Sequence, residues 1–285
     1  MKFSIVTNAY NQGRFLRRCM ESVLRQSWDD LEYIVIDPGS TDETDSILRE
    51  YEARGDRRLV IVRERDNGPA DGLNKGFAIS NGDWFGYLNA DDFYLPGALS
   101  AVASAIAVQP DSDCIYGDGY LTDVNGVPTR RVHSTAISAL KGVRGAVLVL
   151  QQSTFYRAES FRLVGGFNVD NRTSWDFEIL IDMSLAQMKL VHVPGFWSAF
   201  AIHGDSITGS QRHAAESLRN HERIFQKVMG RPRTNMDLVL NKSIGVLDRA
   251  LHPNRTFARI VDARWSSRLP RIANDLPPVE RSTPI

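Results

Sequence analysis

The hydrophobic positions of the first hundred residues switch between two periods. Phe3–Val6, Tyr33–Ile36, Leu59–Val62 and Trp84–Leu88 are short, nearly unbroken apolar runs, the pattern of strands covered on both faces. Between them, apolar residues recur at helical spacing. Phe15, Leu16, Cys19, Met20, Val23 and Leu24 form one such face. Ile47, Leu48 and Tyr51 form a second, which a capping box of Ser40 and Glu43 is expected to open. Asp71–Ile79 and Pro96–Val108 supply two more. Strands and helices alternating in this way predict an α/β fold with a mostly parallel central sheet.

After residue 110 the rhythm changes. Ile115–Leu121 and Thr129–Val132 flank Asp123-Val124-Asn125-Gly126, and an Asn-Gly pair between two β runs signals a hairpin. Val147–Leu150 reads as a strand, Asp176–Met188 as a helix, and Leu190–Val193 as a late strand ended by Pro194 and Gly195. Helical patterns over Ala214–Met229 and Met236–Leu251 precede a tail containing Pro and Arg.

Composition narrows the function classes. The 285 residues carry 34 Lys+Arg and 34 Asp+Glu, and zero net charge argues against a nucleic-acid partner. Residues 231–285 nevertheless hold ten of the basic residues and five of the acidic ones, so a basic end follows an acidic remainder. That basic end has two readings: peripheral contact with anionic lipids of the inner membrane, or an ordinary helix surface with acids interspersed. The longest apolar stretch, Ala98–Val108, falls well short of the ~20 residues of a membrane span. Cys19 and Cys114 lie in apolar runs with no Cys-x-x-Cys spacing, so neither a zinc site nor a disulfide framework is expected. Because the apolar pattern begins at Phe3, no secretory leader is expected, and a cytoplasmic setting follows.

In an open parallel sheet, ligands bind outside the carboxyl ends of the strands. Here those ends read Thr7-Asn8-Ala9-Tyr10-Asn11, Asp37-Pro38-Gly39-Ser40, Asp66-Asn67-Gly68 and Asn89-Ala90-Asp91-Asp92. Neither a Gly-x-Gly-x-x-Gly fingerprint nor a Gly-x-x-x-x-Gly-Lys-Ser/Thr phosphate loop is present. A diphosphate bound there needs positive charge from elsewhere, which a divalent cation held by carboxylates supplies, and the run ending in Asp91-Asp92 suits that role.

The chain resembles a family 2 glycosyltransferase of the GT-A, Rossmann-like nucleotide-diphospho-sugar transferase fold. The resemblance rests on Ser-Ile-Val-Thr-Asn-Ala-Tyr-Asn-Gln (4–12), Tyr-Ile-Val-Ile-Asp-Pro-Gly-Ser-Thr-Asp (33–42), Leu-Asn-Lys-Gly (73–76), Gly-Asp-Trp (82–84) and Leu-Asn-Ala-Asp-Asp (88–92). It continues through Gln-Ser-Thr-Phe-Tyr-Arg (152–157), Gly-Gly-Phe (165–167) and Ser-Trp-Asp-Phe-Glu (174–178). Each string alone is weak, but their order and spacing together are specific. The resemblance implies a donor-binding half over 1–110, an acceptor-side half over 111–205 and a helical extension with a basic tail over 206–285.

It also implies roles. Thr7 and Asp37 fall where the family contacts the base and ribose of the nucleotide, with Asn8, Tyr10, Asn89 and Ala90 beside them. Asp91 falls on the position that coordinates Mn²⁺ or Mg²⁺ across the two phosphates, and Asp92 supports that site or touches the donor sugar. Asn89 stands where the family's motif has its first Asp, which removes one charge near the metal. Asp71 and Lys75 lie one helical turn apart after the third strand, and Lys75 is placed to reach the diphosphate. His203 falls in a late loop that closes over metal and phosphates in relatives. Asp176 matches the catalytic base, and Trp175 beside it could line the acceptor cleft; Glu178, about 200° further round the helix, is not expected to share the role. The implied reaction is inverting transfer of a sugar from a nucleotide-sugar, first of all a UDP-sugar, to a hydroxyl of a glycan, lipid-linked or small-molecule acceptor, as in surface polysaccharide or glycoconjugate biosynthesis. A non-catalytic nucleotide-sugar-binding protein on the same fold is the alternative.

Overall fold

The computed structural model describes residues 1–204, 214–241, 269–270, 272–273 and 276–279. Four parallel strands form one side of its sheet: β1 (Phe3–Asn8), β2 (Leu31–Asp37), β3 (Leu59–Arg63) and β4 (Trp84–Asn89), in the order β3-β2-β1-β4. Their alternate residues enter different cores. Ile5, Tyr33 and Val35 pack with Leu16, Cys19 and Met20 of α1 (Gly13–Leu24), Ile47 and Leu48 of α2 (Thr44–Ala53), and Leu99 and Val102 of α4 (Ala98–Val108). Val6, Ile34 and Ile36 face the opposite side with Leu73 and Phe77 of α3 (Pro69–Ile79). Burial on both faces is why these strands are apolar throughout.

The sheet continues through β8 (Thr154–Arg157), β6 (Cys114–Thr122), β9 (Leu190–Ala201) and the two-residue β5 (Phe93–Tyr94), with β7 (Pro128–Val132) paired on β6. β6 and β7 form the expected antiparallel hairpin around Asp123–Gly126. Short α5 (Ala139–Val143) and α6 (Ala158–Leu163) and the longer α7 (Trp175–Leu185) cover the second face, and α8 (Ala214–Met229) packs Ile224 and Phe225 against Ile181 of α7. The Asn74 side-chain amide of α3 donates to the Phe167 carbonyl (2.7 Å) and accepts the Phe167 N–H (2.9 Å), just past the Gly165-Gly166 turn, and so ties α3 to the loop after α6.

Three expectations require correction, and a fourth is only partly described. Ser40 does not cap α2: its hydroxyl donates to Asp37 Oδ1 (2.7 Å) and Ala9 O, while Asp42 accepts the Thr44 N–H at the helix start. Val147–Leu150 is not a strand; Leu148 exchanges single hydrogen bonds with Thr135 and leads into a 3₁₀ turn over Gln151–Ser153. The late strand does not stop at Pro194, because the register of β9 on β6 shifts between Tyr116 and Asp118, and the extra residues let the strand carry Pro194 and Gly195 onward to Ala201. Of the helix expected over Met236–Leu251, residues 235–241 are helical and the rest lies outside the described residues.

Gly76 shows how closely α3 lies on the sheet. A Cβ there would stand 2.5 Å from Val6 Cγ1, inside a core with no room to yield. Gly76→Ala is therefore expected to destabilise the fold by about 1–3 kcal/mol. Thermal denaturation checks this, and an unchanged Tm would contradict the packing.

Candidate active site

The carboxyl ends of β1 to β4 open into two adjoining clefts that share Asn8, Tyr10 and Pro69. Asn8 Nδ2 donates to the Pro69 carbonyl (2.7 Å), which pins the end of β1 to the start of α3 and leaves its buried Oδ1 without a partner. The first, about 380 Å³, runs across the sheet from there to Asn89, Asp91, Gln151, Trp175 and Asp176. The other, about 480 Å³, is walled by Pro38, Gly39, Arg65 and Asp66. Burial pushes the Asp66 carboxyl above its ordinary range.

Asp37 organises that second wall. It is buried, and its Oδ1 accepts from the Gly39 and Ser40 N–H groups and the Ser40 hydroxyl at 2.7–3.1 Å. Its Oδ2 has no hydrogen-bond partner among the described residues.

At the end of β4, Asp91 and Asp92 divide their tasks. Asp92 is fully buried and accepts from Gln152 Nε2 (2.6 Å), the Ala201 N–H (3.0 Å) and Asn89 Nδ2 (3.5 Å). Burial, and then the neighbouring Asp91 charge, hold its carboxyl well above the usual range. Asp91 lines the cleft, and its Oδ2 stands 2.9 Å from Nε2 of His203, whose ring stacks on Phe15. Beneath them lies Arg18, a guanidinium on the apolar face of α1 that donates to the carbonyls of Asp91 (3.3 Å) and Val124 (3.1 Å) and packs over the Phe93 ring. Burial lowers the Arg18 pKa, and the charges of Asp92 and Asp91 oppose that loss.

Across the same cleft, Asp176 occupies the first turn of α7. Burial raises its pKa, against the opposing pull of the Phe177 and Asp176 backbone N–H groups. Glu178 faces elsewhere. Although burial pushes its carboxyl up, a two-pronged hydrogen bond from Arg223 of α8 (2.6 Å each) and bonds from Asn171 and Asn168 outweigh it and lower the pKa. Asn220 of α8 also donates to Thr173 Oγ1, so α8 braces the segment that delivers Asp176.

The structure thus brings Asn8, Tyr10, Asn89, Ala90, Asp91, His203, Trp175 and Asp176 to one cleft or its rim. It does not bring Thr7, Asp71 or Lys75 there. Thr7 is buried, with its hydroxyl accepting from Tyr33 OH (3.1 Å) on the α1 side of the sheet. Asp71 accepts from Asn67, and Lys75 pairs with Glu64 (2.8 Å), which draws it away from either cleft. Sequence reasoning gave no role to Arg18, Asp66, Gln151 or Gln152, although Asp66 stands at a strand end, Gln152 opens a motif string and Arg18 is a charge between Phe15 and Cys19 on an otherwise apolar face.

Among the described residues no three His, Cys, Asp or Glu side chains converge as a metal-binding group. Asp91 and His203 do form a carboxylate-imidazole pair at the cleft, which fits a divalent ion completed by ligand oxygens.

The mostly parallel sheet, with a cleft at its strand ends, is that of the GT-A fold. Residues 4–165, more than half of the chain, match Glycosyl transferase family 2, and the protein belongs to that family. It is 33% identical over 180 residues to the PGL/p-HBAD biosynthesis glycosyltransferase of Mycobacterium bovis, which spans 62% of this chain and 68% of that one. Chondroitin synthase of Escherichia coli is 26% identical over 64% of this chain but only 26% of its own. The fold is similar to that of S. aureus TarS 1–349 in complex with UDP-GlcNAc (TM-score 0.65, 17% identity, 82% of this chain and 68% of that chain). It is also similar to a mannosyltransferase from Pyrobaculum calidifontis in complex with GDP-Man and Mn²⁺ (TM-score 0.63, 15% identity, 95% and 77%). Among the described residues no helix is long and apolar enough to cross a membrane.

The raised Asp176 pKa has a consequence for stability. A carboxyl whose pKa is higher folded than unfolded favours the fold while protonated, and that advantage is lost as pH rises through the folded value. Asp176→Asn is therefore expected to have a Tm at or above that of the parent at pH 7.5, with the difference closing as pH falls toward 4. Denaturation across that pH range checks it; a variant less stable at pH 7.5 would contradict the desolvated environment.

Proposed function

We propose that the protein moves a sugar from a nucleoside-diphosphate-sugar, a UDP-sugar first among candidates, to an acceptor hydroxyl with inversion at the anomeric carbon. The observation that carries this reading is the placement of Asp176 in the same cleft as the Asp91–His203 pair. The nucleoside is assigned to the second cleft, where Asp66 offers an acceptor to a base N–H edge such as that of uracil, and Asp37, buried just behind the wall at Pro38 and Gly39, is assigned to the same nucleoside. The diphosphate is assigned to the mouth of the first, at Asp91 and His203. A divalent cation bound there supplies positive charge to the departing diphosphate.

The chain's own groups do the rest. Asp176 takes the acceptor proton, and its raised pKa makes it a stronger base than a solvated carboxylate. Asp92 and Arg18 hold the Asp91 loop in place without entering the cleft. One base facing one leaving group supports in-line displacement and hence inversion. The mycobacterial relative's name and that of chondroitin synthase place those proteins in glycoconjugate and polysaccharide biosynthesis, and we extend that setting to this chain. The Lys and Arg residues beyond 241 all lie outside the described residues.

Asp176→Asn should lower kcat for sugar transfer by roughly 10²–10⁴-fold, the usual contribution of a general base. The same variant should bind nucleoside diphosphate with Mn²⁺ as the parent does. Transfer assays paired with calorimetry check both, and full activity in the variant would refute the assignment. EDTA should abolish transfer and Mn²⁺ restore it; activity indifferent to EDTA would remove the cation from the account.

A further inference from the structure

Within the first cleft, one side chain has hydrogen-bonding groups that neither the fold nor the proposed reaction uses. Gln151 opens the 3₁₀ turn before β8, is nine-tenths buried and lines the cleft, yet neither its Nε2 nor its Oε1 has a hydrogen-bond partner. Its neighbour Gln152 behaves in the opposite way, spending its amide N–H on Asp92 (2.6 Å). A buried amide left without either bond is costly, so native structures keep one where a ligand completes it.

Two further polar groups share the cleft. The Tyr87 hydroxyl and the Trp175 indole N–H are both buried without a hydrogen-bond partner. Val149, Leu150 and Phe200 provide apolar wall. A few polar groups set in apolar surface match a compact polyhydroxylated ring. The Gln151 amide offers one donor and one acceptor side by side, as two neighbouring hydroxyls require.

We infer that Gln151 is a specificity-determining residue that reads hydroxyls of the transferred sugar. The inference rests on the glycosyltransfer reading above. The side of the cleft follows from the Gln152–Asp92 bond, which ties the turn to the Asp91 loop and keeps Gln151 beside the diphosphate position. Gln151 does not line the second cleft, so it makes no demand on the nucleoside.

The test is calorimetric titration of UDP, GDP, UDP-glucose and GDP-mannose, with Mn²⁺, into the parent, Gln151→Leu and Gln151→Glu. The parent should bind at least one sugar nucleotide more tightly than its own diphosphate. Gln151→Leu should weaken that sugar nucleotide by at least about tenfold, because a site built to hydrogen-bond loses heavily when the bond is absent. Its diphosphate affinity should stay at the parent value, which also shows that the variant folds. Gln151→Glu, which retains acceptors and loses the donor, should fall between. If Gln151→Leu loses diphosphate binding as well, Gln151→Glu decides by the same comparison. Sugar nucleotide and diphosphate affinities that both match the parent would overturn the role of Gln151 alone. A parent that binds neither diphosphate would overturn the glycosyltransfer reading, and this inference with it.

Discussion

The site depends on one buried carboxylate. Asp92 has no exposed surface, and its oxygens gather Asn89 from the end of β4, Gln152 from the turn before β8 and Ala201 from the end of β9. These segments are as much as 112 residues apart, and the hydrogen bonds at Asp92 hold them at one point. Asp91 then has only one direction left, toward the cleft and His203. Arg18 closes the arrangement from below by taking the Asp91 carbonyl, so a buried cation offsets two neighbouring acids.

This arrangement costs stability where it serves chemistry. The carboxyl groups of Asp92 and Asp176 have raised pKa values because burial opposes their charge. Other buried acids are matched in full: Glu178 is held by Arg223, and Asp118 accepts from His192, Ser134 and His133, which outweighs its burial and lowers its pKa. Asp92 fastens the frame as these acids do, through its three hydrogen bonds, whereas Asp176 faces the cleft. The bonds at Asp118 also explain His133 and His192, which secure β7 and β9 to β6 rather than serving the cleft.

Much of the first half was legible in the sequence for a physical reason. Ile5 and Val6, or Val35 and Ile36, face different helical layers, so parallel strands are apolar throughout and stand out against the helical period between them. The second half was less so. β8 has four residues and α6 has six, too short for a period to show, and Pro194 reads as a stop unless the bulge opposite Gly117 is known. Ser40 was misread because its hydroxyl had a nearer acceptor in Asp37. Asp91 and Asp176, singled out by their motif strings, both line the first cleft, whereas hydropathy does not separate Gln151, which lines it, from Gln152, which is spent on Asp92.

The central claim is that one cleft holds the departing diphosphate at Asp91 and His203 while Asp176 waits across it. Crystals grown with UDP and Mn²⁺, measured at the manganese absorption edge, address it most directly. The account predicts one anomalous peak in contact with Asp91 and His203, with the diphosphate beside it and the uridine against Pro38 and Gly39. A nucleotide seated elsewhere, or manganese bound away from that pair, would contradict it.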